Sequence, residues 1–158
     1  MFIALLIIAF ILATLVWFTT NIDKKIEQNF FATGKLTPVE GGTIHWQMQG
    51  SGPALVLIHG LLGNSANFSK LASILATRYT VYSIDRPGNG FSIRAKSTSA
   101  SFEKQSSMIR EWMDKVGIDN AYLVGHSMGG GIALRMAIDA SERINAVSLL
   151  CPLTTKLL

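Results

Sequence analysis

The hydrophobic pattern between residues 43 and 150 switches repeatedly between two kinds of segment. Residues 43–49 alternate apolar and polar side chains, which is typical of a half-exposed β-strand. Residues 54–58 are a continuous apolar run, the mark of a strand buried on both faces of a sheet, and residues 79–84, 121–124 and 146–150 are predicted to be three further buried strands. Apolar residues at helical spacing predict helices at residues 68–76, 102–116 and 129–140. This alternation predicts an α/β fold, an open and mostly parallel sheet with helices on both faces.

The first 22 residues form a separate apolar segment. Seventeen of the first 18 residues are apolar, and no charged residue precedes Asp23. This run predicts one transmembrane helix, because about 20 apolar residues cross the hydrocarbon core of a bilayer. A cleaved signal sequence is the alternative, but Trp17 and Phe18 lie where small residues would precede the cleavage site. A buried core helix is disfavoured because no polar face recurs along the run.

We therefore expect three segments along the chain. Residues 1–22 are predicted to be a retained, single-pass membrane anchor, and residues 23–39 a linker. Residues 40–158 are predicted to form one folded domain. Lys24 and Lys25 favour a cytoplasmic domain only weakly, so the side of the membrane stays open.

The composition excludes several other classes of protein. With 49% apolar and 15% charged residues, the chain is unlike a disordered polyelectrolyte. Its net charge of +4 comes from lysines and arginines scattered along the sequence without a basic run, so no nucleic-acid partner is predicted. Cys151 is the only cysteine, which excludes an intrachain disulfide and a cysteine-rich metal site.

A short motif follows the third buried run. Gly125, His126, Ser127, Met128 and Gly129 fit the pattern Gly-x-Ser-x-Gly between a predicted strand and a predicted helix. In such a turn the serine hydroxyl is presented at the end of the sheet, and the flanking glycines are needed because neighbouring backbone crowds in. Ser127 is therefore a candidate nucleophile, and the Met128 N–H is a candidate donor to a developing oxyanion. A tight turn without a catalytic role is the alternative.

The first buried run leads into a second candidate segment, His59-Gly60-Leu61-Leu62-Gly63. The two glycines let this loop fold close to the serine, which leaves the Leu61 N–H as the other oxyanion donor. His59 is expected to hydrogen-bond the loop backbone rather than to contact substrate. Its role is thus a supporting one, which we also expect of Gly60, Gly125, His126 and Gly129.

The chain carries three motifs in order: His59-Gly60 after one predicted strand, Asp85 to Ser92 after the next, and Gly125 to Gly130 after a third. In order and spacing they resemble the α/β-hydrolase superfamily, in the branch of proline iminopeptidases, haloperoxidase-like esterases and ester or lactone hydrolases. The resemblance covers about residues 40–152. It places Ser127 at the family's nucleophile position, and Leu61 and Met128 at the positions of the oxyanion donors. It also implies an acid and then a histidine after the nucleophile.

The chain departs from the family pattern after Ser127, because all three of its histidines precede that residue. His45 lies in the alternating strand, His59 in the oxyanion loop, and His126 beside the serine. Asp85 is expected to shape the following turn rather than to serve a catalytic triad. We therefore expect an incomplete copy of a longer hydrolase, which lacks the cap region and the C-terminal acid and histidine. A naturally short, non-catalytic derivative is the alternative.

The predicted function is that of a membrane-anchored serine hydrolase acting on a small ester, amide or lactone through an acyl-enzyme. No metal ion and no organic cofactor is implied. One alternative is a membrane-tethered binding or scaffolding module that keeps the turn only as architecture. Another is an acyltransferase or perhydrolase, which would share every motif above because fold and motifs alone do not choose the acyl acceptor.

Overall fold

The computed structural model describes residues 2–29 and 33–153 and separates into two compact units. The first unit is Met1–Thr33 and the second is Gly34–Leu158. The ends of the predicted anchor and domain, residues 1 and 154–158, lie outside the described residues, as do residues 30–32 of the predicted linker.

The described part of the first unit is dominated by one long helix, α1 (Phe2–Asn29). Its segment Ile3–Ile22 has 20 residues with a mean hydropathy of 2.5, and none of it is buried. The hydroxyls of Thr14 and Thr20 donate to carbonyls one turn back, so these polar groups are satisfied within the helix. In the described part of the chain, this is the helix that is long and apolar enough to cross a bilayer, a property that N-terminal signal sequences share.

The segment predicted as a linker, residues 23–39, is largely regular structure. Helix α1 continues to Asn29, and strand β1 (Lys35–Val39) occupies the last five residues of the segment. The apolar pattern missed β1 because Pro38 interrupts it, and proline is rare inside sheets. Pro38 is accommodated because β1 is an edge strand, paired on one side with β2 (Gly42–Gln49).

In the residues that the structure describes, the second unit is built on a seven-stranded mixed sheet. After β1 and β2, its strands are β3 (Ala54–Ile58), β4 (Thr80–Ile84), β5 (Ile93–Arg94), β6 (Ala121–His126) and β7 (Ile144–Leu150). The order across the sheet is β1-β2-β4-β3-β6-β7, and the short β5 pairs with β2. The neighbours β4, β3, β6 and β7 are parallel, as predicted, whereas β1, β2 and β5 join by antiparallel pairing.

Helices follow the parallel strands in turn. They are α2 (Ser69–Leu75), α3 (Phe102–Val116) and α4 (Met128–Asp139). The predicted helix at residues 68–76 is instead a 3₁₀ turn, Ser65–Phe68, followed by the shorter α2. Helix α3 has the predicted bounds, begins at an N-cap by Ser101, and ends at Gly117, whose φ of 77° is the left-handed conformation that glycine adopts without strain.

Two hydrophobic clusters place these helices on opposite faces of the sheet. On one face, Phe68 and Ala72 from the turn and α2 cluster with Leu57 of β3. On the other face, Trp112 of α3 and Met136 of α4 belong to a larger cluster that includes Val56 of β3. The expectation of helices on both faces is therefore confirmed for the second unit.

Strand β7 differs from its prediction. Residues 146–150 read as a strand buried on both faces, but none of the seven residues of β7 is fully buried. The reason is that, among the described residues, β7 pairs with β6 alone and packs its Val147 against a single hydrophobic cluster. An apolar run identifies a strand, whereas its burial depends on which elements lie beside it.

Candidate active site

The candidate site lies where β3 and β6 end side by side. Ile58, the last residue of β3, lies opposite Gly125 of β6 and also opposite Ile84, the last residue of β4. The chain leaves β3 toward α2 on one face of the sheet and leaves β6 into α4 on the other face. In open α/β sheets, such a divergence at the carboxyl ends of neighbouring strands creates the crevice in which ligands bind.

Ser127 stands at the sharp turn between β6 and α4. Its φ of 51° and ψ of −119° are strained for a residue with a side chain. The Ser127 N–H donates to the Leu150 carbonyl at 2.9 Å, and its own carbonyl accepts from the Leu153 N–H at 2.9 Å. The backbone at the end of β7 and just after it thus holds the turn from both sides.

The glycines of the motif lie where a side chain has no room. A Cβ on Gly129 would lie 2.1 Å from the Ile58 carbonyl oxygen, at the end of β3. A Cβ on Gly125 would lie 2.5 Å from the Gly129 carbonyl oxygen. Both contacts are with backbone, so close packing of the turn against β3 accounts for glycine at these two positions.

The loop after β3 approaches the serine closely. A Cβ on Gly60 would lie 3.2 Å from the Ser127 Cβ and 2.9 Å from Nδ1 of His126. The imidazole of His126 therefore lies against this loop. Among the described residues, neither the Leu61 N–H nor the Met128 N–H donates a hydrogen bond, so both groups are available to a ligand.

His59 is buried and bonded to backbone at both ring nitrogens. Its Nδ1 donates to the Gly60 carbonyl at 2.8 Å, and its Nε2 accepts from the Arg86 N–H at 2.9 Å. Burial lowers the pKa of His59 from 6.5 to about 4, since the charged ring would lose its water. The ring is thus neutral at physiological pH, as its accepting Nε2 requires.

A buried polar network not anticipated from the sequence lies beyond His59. The Asp85 carboxylate accepts from His45 Nδ1 at 2.8 Å, from the Ser65 N–H at 2.6 Å and from the Phe91 N–H at 2.9 Å. Asp85 therefore ties β2, the turn before α2 and the loop after β4 together. Its carboxylate is used in these contacts and makes no bond to Ser127.

Arg86 is a buried residue to which the sequence analysis gave no role. Its side chain is 2% exposed, and its guanidinium donates to the Gly60 carbonyl at 3.0 Å and to Gln105 Oε1 at 2.9 Å. The one feature of the sequence that could have drawn attention to Arg86 is its position beside Asp85, just after a buried strand. Nothing in the sequence pattern shows that its side chain turns inward.

A cleft of about 520 Å³ opens beside the loop after β3. Its lining combines loop residues, the start of α2 and the end of two strands, including Leu61, Lys70, Leu71, His126 and Leu150. In the described residues, no histidine is hydrogen-bonded to the Ser127 hydroxyl. Leu61 and His126 line this cleft, whereas Ser127 and Met128 follow His126 outside its lining.

Comparisons with known proteins agree with this geometry. The family model described as "alpha/beta hydrolase fold" matches residues 53–158. The chain is 34% identical over 136 residues to the dihydrolipoyllysine-residue acetyltransferase component of an acetoin cleaving system from Cupriavidus necator, covering 85% of this chain and 36% of that protein. It is 35% identical over 120 residues to a fluoroacetate dehalogenase from a Burkholderia species, covering 73% and 40% respectively.

A solved structure gives the same result in three dimensions. A variant of meta-cleavage product hydrolase from Pseudomonas fluorescens superimposes with a TM-score of 0.67 at 30% identity, over 72% of this chain and 43% of that one. The chain thus spans about two fifths of the length of these relatives. With a family model over most of its second unit and matching topology, the chain belongs to the α/β-hydrolase fold family.

Proposed function

We propose that this protein is a serine hydrolase that cleaves a small ester, amide or lactone through an acyl-enzyme on Ser127. The observation that carries the proposal is the strained turn at Ser127, which lies beside two N–H groups without a partner among the described residues. A strained strand-to-helix turn of this kind presents a nucleophile at the top of the sheet. The relatives named as a dehalogenase and as a hydrolase support a hydrolytic reaction on a small molecule.

In the proposed mechanism, the Ser127 oxygen attacks the substrate carbonyl carbon, and the serine proton passes to a general base. The carbonyl oxygen becomes an oxyanion that accepts hydrogen bonds from the Leu61 and Met128 N–H groups. The base returns the proton to the leaving alcohol or amine, and water then hydrolyses the acyl-enzyme. Because no described histidine is bonded to the Ser127 hydroxyl, we propose that the base comes from elsewhere in the full-length protein.

The test is Ser127→Ala in the full-length protein, with Ser73→Ala as the matched control. Ser73 is an exposed serine whose hydroxyl bonds only to the Ser69 carbonyl of its own helix. We expect Ser127→Ala to lower ester turnover by roughly 10⁴- to 10⁶-fold. It should also abolish labelling by a fluorophosphonate, in which the serine oxygen displaces fluoride. Near-native turnover or labelling in the Ser127 variant would show that another group is the nucleophile.

We also propose that α1 anchors the enzyme in a membrane as a single-pass helix. The proposal is supported by the 20-residue segment Ile3–Ile22, which has a mean hydropathy of 2.5 and of which no part is buried. Alkaline carbonate washing of membranes should leave the full-length protein in the pellet. A protein released by the wash, or one whose mature N-terminus maps beyond residue 22, would contradict the anchor.

Acyl transfer to an acceptor other than water is a second candidate function. It is favoured by the similarity to a protein named as an acetyltransferase component. Turnover of an activated ester in the presence of increasing alcohol or thiol distinguishes the two. A transferase forms the new ester or thioester as its main product, whereas a hydrolase forms the free acid.

A further inference from the structure

The carbonyl oxygen of Gly60 is held by three donors. It accepts from His59 Nδ1 at 2.8 Å, from the Arg86 guanidinium at 3.0 Å and from the Gly63 N–H at 3.3 Å. Most backbone carbonyls need one or two partners, so three donors on one oxygen fix the orientation of that peptide firmly. The peptide in question joins Gly60 to Leu61.

The orientation of this peptide decides whether the Leu61 N–H points into the proposed oxyanion site. A trans peptide is planar, and its N–H points away from its C=O. No cis peptide occurs in the described chain. Holding the Gly60 oxygen on the buried side therefore turns the Leu61 N–H to the opposite side, away from Arg86. Gly60 itself lies against Ser127, where a Cβ would come within 3.2 Å of the Ser127 Cβ.

Burying the charged side chain of Arg86 at this position costs free energy. Its side chain is 2% exposed, and among the described residues its guanidinium has no carboxylate partner. Its Nε is also buried without a hydrogen-bond acceptor. Burial lowers its pKa to about 10, which still leaves it charged at neutral pH. A buried charge without an opposite charge is costly, and a neutral donor would be enough to hold a loop.

We propose that Arg86 is a positioning residue of the oxyanion site: it holds the Gly60 carbonyl, directs the Leu61 N–H toward the reacting carbonyl, and strengthens that donor through its charge. A cation hydrogen-bonded to a peptide oxygen draws electron density toward that oxygen and makes the N–H of the same peptide a better donor. The inference rests on the proposed function, because it assigns a role within the same site.

The experiment compares Arg86→Met and Arg86→Lys in the full-length protein, with Arg94→Met as the matched control. Arg94 is a part-buried arginine of the neighbouring strand β5, and it also donates to a backbone carbonyl, that of Thr98. Because loss of a complete oxyanion donor costs roughly 100- to 1,000-fold in kcat, we expect Arg86→Met to lower kcat by about 100-fold. We expect KM to change by less than about threefold, since the ground-state carbonyl needs the donor far less than the oxyanion does.

Arg86→Lys separates the charge from the shape of the side chain. It keeps a cation in the pocket, and we expect kcat to return to within about tenfold of the wild type. An alkyl boronic acid, which forms a tetrahedral adduct with the serine, should bind Arg86→Met more weakly by the same factor as kcat falls. Arg94→Met should leave kcat and boronic acid affinity unchanged.

Several results would overturn the inference. One is a folded Arg86→Met protein with kcat within about threefold of the wild type. Another is equal impairment of Arg86→Lys and Arg86→Met, which would show that guanidinium packing matters and charge does not. Should Arg86→Met fail to fold, Arg86→Gln takes its place, and the expected order of kcat is Arg, then Lys, then Gln. If the wild type itself is not labelled at Ser127 by a fluorophosphonate, the proposed function fails rather than this inference alone.

Discussion

Strands β3 and β7 carry similar apolar sequences but lie in different surroundings. In β3, the last four of its five residues are buried, because β4 and β6 flank it and clusters cover both of its faces. In β7, a longer strand, no residue is fully buried, because among the described residues β6 is its one neighbouring strand. The comparison teaches that an apolar run specifies a strand, while its place in the sheet specifies how much that strand stabilises the fold.

The same contrast extends to the loops that follow the two strands. After β3 and its neighbour β4, the backbone is fixed by the buried side chains of His59, Asp85 and Arg86. After β7, the contacts with Ser127 are between backbone groups alone. The loop that carries the proposed oxyanion donor Leu61 is therefore held by buried side chains.

The largest expected effect comes from the contact between β3 and the start of α4. Gly129→Ala should destabilise the full-length protein by more than about 3 kcal/mol, because its Cβ would overlap the Ile58 carbonyl. Gly117→Ala is the control: its φ is 77°, but no atom lies within 4 Å of the added Cβ. We expect that control to cost about 1 kcal/mol from backbone conformation alone. Urea unfolding of both variants measures the difference, and equal costs would show that space at Gly129 is not limiting.

The next effect concerns the buried network and its response to acid. Because the folded-state pKa of His59 is about 4 and its unfolded value is 6.5, the unfolded chain binds a proton first as the pH falls. The contribution of neutral His59 to stability is complete above about pH 6.5 and is lost as the pH falls toward 4. Between pH 7 and pH 5 this loss amounts to about 2 kcal/mol.

The measurement is the free energy of unfolding of the wild type, His59→Asn and His126→Asn across that pH range. His59→Asn should remove this part of the pH dependence, whereas His126→Asn, on an exposed side chain, should keep it. Identical slopes for the wild type and His59→Asn would show that His59 titrates alike in the folded and unfolded chains.

The smallest effect tests the two strands directly with one substitution. Val56 of β3 and Val147 of β7 face the same hydrophobic cluster, but Val56 is fully buried and Val147 only partly so. Val56→Ala should cost about 2 kcal/mol, and Val147→Ala less than about 1 kcal/mol. Thermal or urea unfolding of the 158-residue chain checks the order, and a larger cost at Val147 would contradict its partial burial.

Much of the parallel core follows from the sequence because its signals are local. The runs at 54–58 and 121–124, the helix 102–116 and the stop at Gly117 depend on spacing and on one conformational preference. Strand β1 was missed because its signal is antiparallel pairing with β2, which no local pattern carries around Pro38. The apolar run at 146–150 predicted the strand β7 but not how much of it is buried, since the burial of a strand is decided by distant segments.

The candidate site likewise contains residues that a local motif predicts and residues that only the fold brings together. Ser127 and its glycines lie within five consecutive residues, so the motif alone brings them to attention. His45 lies within β2, whereas Asp85 and Arg86 follow β4 and contact His45 and the loop after β3 respectively. Their inward orientation depends on the register of β2, β3 and β4, which the sequence pattern does not specify.

The backbone conformation of Ser127 has a consequence for laboratory evolution. A side chain at a φ of 51° and a ψ of −119° costs the folded protein roughly 1–3 kcal/mol, whereas glycine adopts such angles freely. A library screened for heat resistance alone is therefore expected to enrich glycine at codon 127 and to discard the hydroxyl with it. Selection for thermostability in this protein has to be coupled to a screen for activity in every round.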